Sequence, residues 1–295
     1  MIRLQNGDRL PSVAGVQLLL NSHRAIEDAM PVDGDFGPIT TEGVRAFQHL
    51  TRGLTPVGRV DPETWRVLAR DQQLKVRDWA DVTDPVVDHM VEVVREAGSR
   101  AIVQGGASFA VGNLAPAIAA SGVGEGELFL LRFLGHGNRG SQAAGYGTGC
   151  HVFYETMRAV CFPGYDRCAQ DRPTATGHER ESVGRAVRYS GLSDASLLDP
   201  LVADAVRALR PLFAPFGSIE FHGCRVGGGR EGATFLRRMA DLTGVPCTAA
   251  HRRQRTGNAV RFAGPLRIVC SGGVTLGQWA RARRPLAGSR LREFA

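Results

Sequence analysis

The chain has 295 residues, 43% hydrophobic and 22% charged, a balance that excludes disordered, collagen-like and fibrous proteins. No apolar run approaches the roughly 18 residues of a membrane span, and the opening Met1-Ile2-Arg3-Leu4-Gln5-Asn6-Gly7-Asp8 lacks the apolar core of a secretory signal. The formal net charge is +7 and nearly all its cations are arginines, Lys75 being the only lysine; they are scattered until the stretch from Arg252 onward, which suits polyanions such as bacterial cell wall better than nucleic acid.

Residues 1–71 read as three short helices. Val13, Val16, Leu19 and Leu20 recur at helical spacing, and Gly37-Pro38 opens a second helix through Val44 and Phe47. Asp61-Pro62-Glu63-Thr64 opens a third, with Asp61 as cap and Trp65 and Leu68 on the apolar face. Glycine-rich turns at 32–37 and 53–58 separate the three. Packing alone makes Phe36, Phe47 and Trp65 core residues and gives Gly34 and Gly37 to backbone geometry.

The ordered set Val16-Gln17, Leu20, Asp33-Gly34-x-Phe36-Gly37-x-x-Thr40, Val44-x-x-Phe47-Gln48, Gly53-Leu54, Gly58 and Val60-Asp61-Pro62-x-Thr64-Trp65-x-x-Leu68 resembles the bacterial peptidoglycan-binding domain. The resemblance implies a murein stem peptide or glycan held near the turn of Asp33, Gly34, Phe36 and Thr40, and a unit over residues 1–71 that folds on its own.

Beyond this unit the pattern loosens to about Ala80, and an amphipathic helix follows Asp84-Pro85 through Val86, Met90, Val93 and Val94. Strands and helices then alternate: a buried strand at 127–134, a helix at Leu197–Leu212, a strand at Ser218–His222, a helix at Gly232–Thr243 and a strand at Val245–Ala250. The expected architecture is multidomain, a small all-α three-helix bundle plus an α/β domain over 72–295 with a mostly parallel sheet and helices on both faces.

Two strands run into reactive residues, one into Gly135-His136-Gly137 and the other into His222-Gly223-Cys224-Arg225. Ligands of open parallel sheets gather at the carboxyl ends of strands, so imidazole and thiol are expected at one edge. A thiol there gives its proton to the imidazole, the thiolate attacks a carbonyl and the imidazolium protonates the leaving group, while the amides of Gly137 and Cys224 receive the oxyanion. Gly223, Arg225, His251 and Arg252 are expected to border the substrate. His222, two residues before Cys224, is read as flanking the nucleophile, with the role of base as its alternative.

These elements resemble the caspase-like cysteine peptidases (clan CD), most closely those of bacterial surface proteins and self-cleaving toxins. Gly227-x-x-x-x-Gly232-x-x-Phe235-Leu236-x-x-x-Ala240-x-x-Thr243-Gly244 and Thr256-Gly257 continue the match. The resemblance implies a caspase-like fold and peptide-bond hydrolysis by a His136–Cys224 dyad, without metal or other cofactor. The dyad residues lie further apart in sequence than the roughly 50 residues usual for caspases, which points to an insertion around Cys150–His178. Cys150, Cys161 and Cys168 there lack the tight pair of a structural zinc site, leaving free thiols or a disulfide. Cys247 and Cys270 read as core thiols.

The sequence therefore predicts a cell-wall-targeted cysteine peptidase whose partners are peptidoglycan and a peptide or protein substrate. A murein module without a recognisable signal implies export to the periplasm or wall by a signal-peptide-independent route, as for an antibacterial effector with a secretion-machine component and an immunity protein; the alternative is a cytoplasmic protein until lysis. Two other functions fit parts of the sequence. One is an L,D-transpeptidase-like murein enzyme, opposed by Phe221 before His222 and by the lack of a histidine upstream of Cys224 where such a site holds one. The other is a non-catalytic wall-binding or adhesion module.

Overall fold

The computed structural model describes residues 2–23, 29–70, 72–81, 91–92, 95, 99–104, 111–135, 137–144, 191–254 and 261–283. His136, Cys150, Cys161, Cys168, Thr256-Gly257 and most of the helix expected after Pro85 lie outside these residues.

Three helices, α1 (Pro11–Asn21), α2 (Pro38–Leu50) and α3 (Pro62–Arg70), form the N-terminal bundle, each entered through a proline that has no amide hydrogen to leave unpaired. Short antiparallel bridges, Leu4 to Val60 and Arg9 to Asp35, tie the leading segment to the two turns. α1 is apolar almost all round, and its residues Pro11 to Leu20 are all buried. A helix of that kind needs cover on every side.

A six-stranded sheet supplies the rest of the cover. Its strands are β1 (Lys75–Asp81), β2 (Ala101–Gln104), β3 (Leu128–Leu134), β7 (Phe213–Phe221), β8 (Cys247–Ala250) and β9 (Leu266–Val269), in the order β2-β1-β3-β7-β8-β9. Neighbours pair in parallel except β9, which runs antiparallel to β8. A small antiparallel sheet of β4 (Gly137–Asn138), β5 (Ser141–Ala143) and β6 (Gly191–Ser193) is set apart from it.

The helices α4 (Leu114–Ala120), α5 (Pro200–Arg207) and α6 (Gly229–Thr243) share one apolar cluster with Leu131 and Phe133 of β3 and Ile219 and Phe221 of β7. The opposite face is covered by the bundle together with α7 (Leu276–Arg281): one continuous cluster joins Val13, Val16, Leu20, Phe36, Phe47 and Trp65 to Phe129, Phe216 and Trp279. Helices thus lie on both faces as expected, but one layer belongs to the N-terminal bundle.

Three local readings need correction. Residues 75–80, read as a loosened linker, form a strand inside the sheet, disguised by charges that are buried: Arg77 is 8% exposed and Asp78 fully buried. The helix expected at Leu197–Leu212 is broken into a 3-10 turn at Ser196–Leu198, α5, and a second turn at Arg210–Leu212, because Pro200 and Pro211 each restart the backbone. β7 begins at Phe213, five residues before the expected start, and its Pro215 is exposed at a point where the β3 register shifts.

Gly15 is where the bundle meets the sheet. A Cβ there would lie 2.4 Å from Cε2 of Phe129 and 3.3 Å from Cδ2 of Phe216, so only a glycine lets α1 settle on these rings. Trp65 of α3 packs on Phe129 with centroids 4.5 Å apart, and Asp8 pairs with Arg261 at 2.8 Å. Gly15→Val is expected to overpack this seam and destabilise the chain by about 1–3 kcal/mol. In urea unfolding the midpoint should fall, with both apolar clusters, one holding Trp65 and the other Trp79, lost in a single transition.

Candidate functional site

β3 and β7 are hydrogen-bonded neighbours with Leu131 beside Ile219 and Phe133 beside Phe221. They end within one residue of the same level, where the amide of His222 donates to the Phe133 carbonyl at 2.9 Å. The two segments that leave this edge then touch backbone to backbone. A Cβ on Gly137 would stand 2.7 Å from both Cα and C of Gly223, and one on Gly223 would stand 2.7 Å from Gly137 Cα. Gly223 donates its amide to Oε1 of the fully buried Gln142 on β5 at 2.9 Å, and Gly140 donates to the Val226 carbonyl at 3.1 Å. Gln142 pairs with Gly137 across the β4–β5 hairpin. The hairpin that follows His136 is therefore fastened to the loop that carries Cys224.

Cys224 is half-buried and donates its thiol to the Gln254 carbonyl at 3.7 Å. Among the described residues its own amide meets no acceptor. Arg225 has φ of 61°, a left-handed conformation uncommon outside glycine. That turn is fixed by Gly228, which donates to the Arg225 carbonyl at 2.7 Å, and by the Arg225 amide, which donates to the Arg252 carbonyl at 3.0 Å. The side chains of Arg225 and Arg252 are exposed and His251 is half-buried, so the three residues read as a substrate rim stand on two segments joined by that bond. Partial burial and then the charge of Arg267 lower the pKa of His251. Gly223 is buried against Gln142 and Gly137 and contributes backbone shape.

The other described thiols have different surroundings. Burial pushes Cys247 well up, and it pushes Cys270 up to about 11, so both keep their protons at neutral pH.

His222 turns away into the sheet face below the bundle. Its Nε2 lies 3.0 Å from Oε2 of Glu220 and its ring stacks on Phe262 with centroids 4.2 Å apart. Among the described residues no hydrogen bond links it to Cys224. Glu220 is the register neighbour of Arg132, and Arg132 that of Asp78, so a buried row of charge crosses three strands. Arg132 donates through Nε and Nη2 to Asp78, the latter at 2.8 Å, and through Nη2 to Ser99 at 3.0 Å. Burial opposes its charge, but Asp78 and then Glu220 outweigh this and raise its pKa. A cavity of about 240 Å³ lies between this row and the leading segment, lined by Arg3, Asp8, Arg9, Glu220 and Arg261 among others.

In the bundle, the turn expected to hold murein is organised from within. Oε1 of the buried Gln17 accepts from the amides of Asp33 and Gly34 at 3.0 and 2.9 Å, and its Nε2 donates to Asp33 at 2.9 Å and to Thr40 at 3.0 Å. Phe36 is fully buried and Thr40 is 3% exposed. These two side chains fill and fasten the turn from within. Gly34 is pressed toward Leu276 of α7, and of the four residues only Asp33 keeps a partly exposed side chain.

A family model described as "Putative peptidoglycan binding domain" matches residues 9–68. No curated protein and no solved structure matches the chain. Among the described residues, no helix is long and apolar enough to cross a membrane.

Two substitutions test this geometry. Gly223→Ala sets a Cβ 2.5 Å from Gln142 Oε1 and is expected to force the two turns apart at a cost of about 1–3 kcal/mol, read as a lowered urea midpoint. Asp78→Ala leaves Arg132 buried without its partner and should cost about 3–5 kcal/mol, measurable in the same way; a loss within 0.5 kcal/mol, the usual range of a surface change, would mean the row is solvated.

Proposed function

We propose that the chain is a cell-wall-targeted, caspase-like cysteine peptidase with His136 as base and Cys224 as nucleophile. The peptidoglycan-binding domain at residues 9–68 brings it to murein. The observation that carries the catalytic reading is the backbone contact of Gly137 with Gly223, which lies next in the chain to both dyad residues, at the carboxyl ends of two adjacent parallel strands.

In this reading His136 takes the thiol proton, and the Cys224 thiolate attacks the scissile carbonyl. The tetrahedral oxyanion is received by the amides of Gly137 and Cys224. As it collapses, the C–N bond breaks and the amine leaves with the proton from the imidazolium, giving a thioester on Cys224. Water then enters, His136 accepts its proton, and the acid is released with the thiol restored. Arg225 and Arg252 border the substrate with positive charge beside the imidazole of His251, which favours peptides carrying carboxylates, whether wall peptide or protein. An exported antibacterial effector is the role that accommodates both a murein module and a peptidase.

Cys224→Ala and His136→Ala are each expected to lower peptide-bond cleavage by on the order of 10² or more, with the double variant scarcely worse than either because the pair acts as a unit. Retention of the full chain on purified sacculi should be unchanged in all three, while Cys247→Ala should cleave normally. If Cys224→Ala cleaves like the parent and Cys247→Ala does not, the nucleophile has been misassigned; if no cysteine matters, the chain is a wall-binding module with an inert second domain.

A further inference from the structure

Residues 251–254, which follow β8, lie against the Cys224 loop, and one side chain organises them. Gln254 closes the segment on itself: its Nε2 donates to the carbonyls of Arg252 at 2.9 Å and Ala263 at 3.2 Å, and its Oε1 accepts from the Ala263 amide at 2.8 Å. These three bonds tie the Gln254 side chain to the backbone of Arg252 and Ala263, and the Gln254 carbonyl accepts the Cys224 thiol at 3.7 Å. The opposing side is held as firmly, with Arg225 locked in its left-handed turn and its amide bound to the Arg252 carbonyl at 3.0 Å.

We propose that Gln254 is a positioning residue that pins a backbone carbonyl onto the Cys224 thiol, keeping the nucleophile covered until an extended substrate displaces that carbonyl. The inference rests on Cys224 being the nucleophile. Attack requires the substrate's carbonyl carbon over the sulfur, the place now taken by the Gln254 carbonyl. An extended peptide presents its own N–H and C=O groups along the Arg225–Arg252 contact and can exchange with the strap bond for bond. The substrate class that the clamp selects is thus a peptide able to lie extended, and short or folded ligands leave the thiol capped.

Site-resolved alkylation of the full chain with iodoacetamide at neutral pH tests this without any peptidase substrate. Gln254→Ala is expected to raise the alkylation rate of Cys224 about 3- to 10-fold, the worth of one hydrogen bond, while the fully buried Cys247 stays unreactive. Ala263→Pro removes the amide that Gln254 accepts and should move the rate in the same direction. Gln254→Glu, whose carboxylate has no hydrogen to donate to the Arg252 and Ala263 carbonyls, should also raise the rate. An unchanged or slower Cys224 in both clamp-breaking variants overturns the proposal. So does a parallel rise at Cys247, since that reports a loosened fold. A chain that cleaves no peptide yet shows the selective rise at Cys224 loses the peptidase reading and keeps the clamp.

Discussion

A helix buried around almost its whole circumference cannot lie on a surface, and α1 obliges two units to share it. α2 and α3 cover part of it, while β3, β7 and α7 cover the rest. Gly15 makes the second contact possible by leaving room for the rings of Phe129 and Phe216. The same two strands lead to the Cys224 edge, so the N-terminal bundle and that edge are parts of one packed body. Trp65 on Phe129, Leu276 on Gly34 and Asp8 on Arg261 add contacts around the seam.

Beneath that edge the sheet carries a row of charge where apolar residues would be simpler. Asp78, Arg132 and Glu220 occupy matched positions on three neighbouring strands, and Glu220 continues to His222. Buried ion pairs contribute little net stability against hydrophobic replacements of equal volume, yet breaking one partner away is costly. Their effect here is on register: a slip of one residue would send Asp78 or Arg132 to the other face, into an apolar cluster. Since β3 and β7 must end level for their loops to meet, register matters at this edge more than anywhere else in the sheet.

The bundle and the two strand–turn elements were legible in sequence because their signals are local: prolines at helix starts, helical spacing of apolar residues, and an apolar strand running into glycine and histidine. The missed pieces depend on distant partners. β1 reads as a charged linker because Asp78 only becomes a strand residue when Arg132, on another strand, neutralises it. Gln142 and Gln254 carry no sequence signal, since a glutamine becomes informative only once the amide or carbonyl it reaches is known. Phe36 and Thr40 belong to a family pattern, and a pattern does not show that their side chains are buried; the packing does.

The shared helix also orders events during synthesis. α1 leaves the ribosome early, but Phe216, on which it packs, is made roughly 200 residues later, a delay on the order of 10–40 s at about 5–20 residues per second. Throughout that interval the nascent chain carries an apolar helix with one side uncovered. The order of elements thus sets how long this face waits for its cover, and a circular permutant that places residues 2–70 after β9 would shorten the wait.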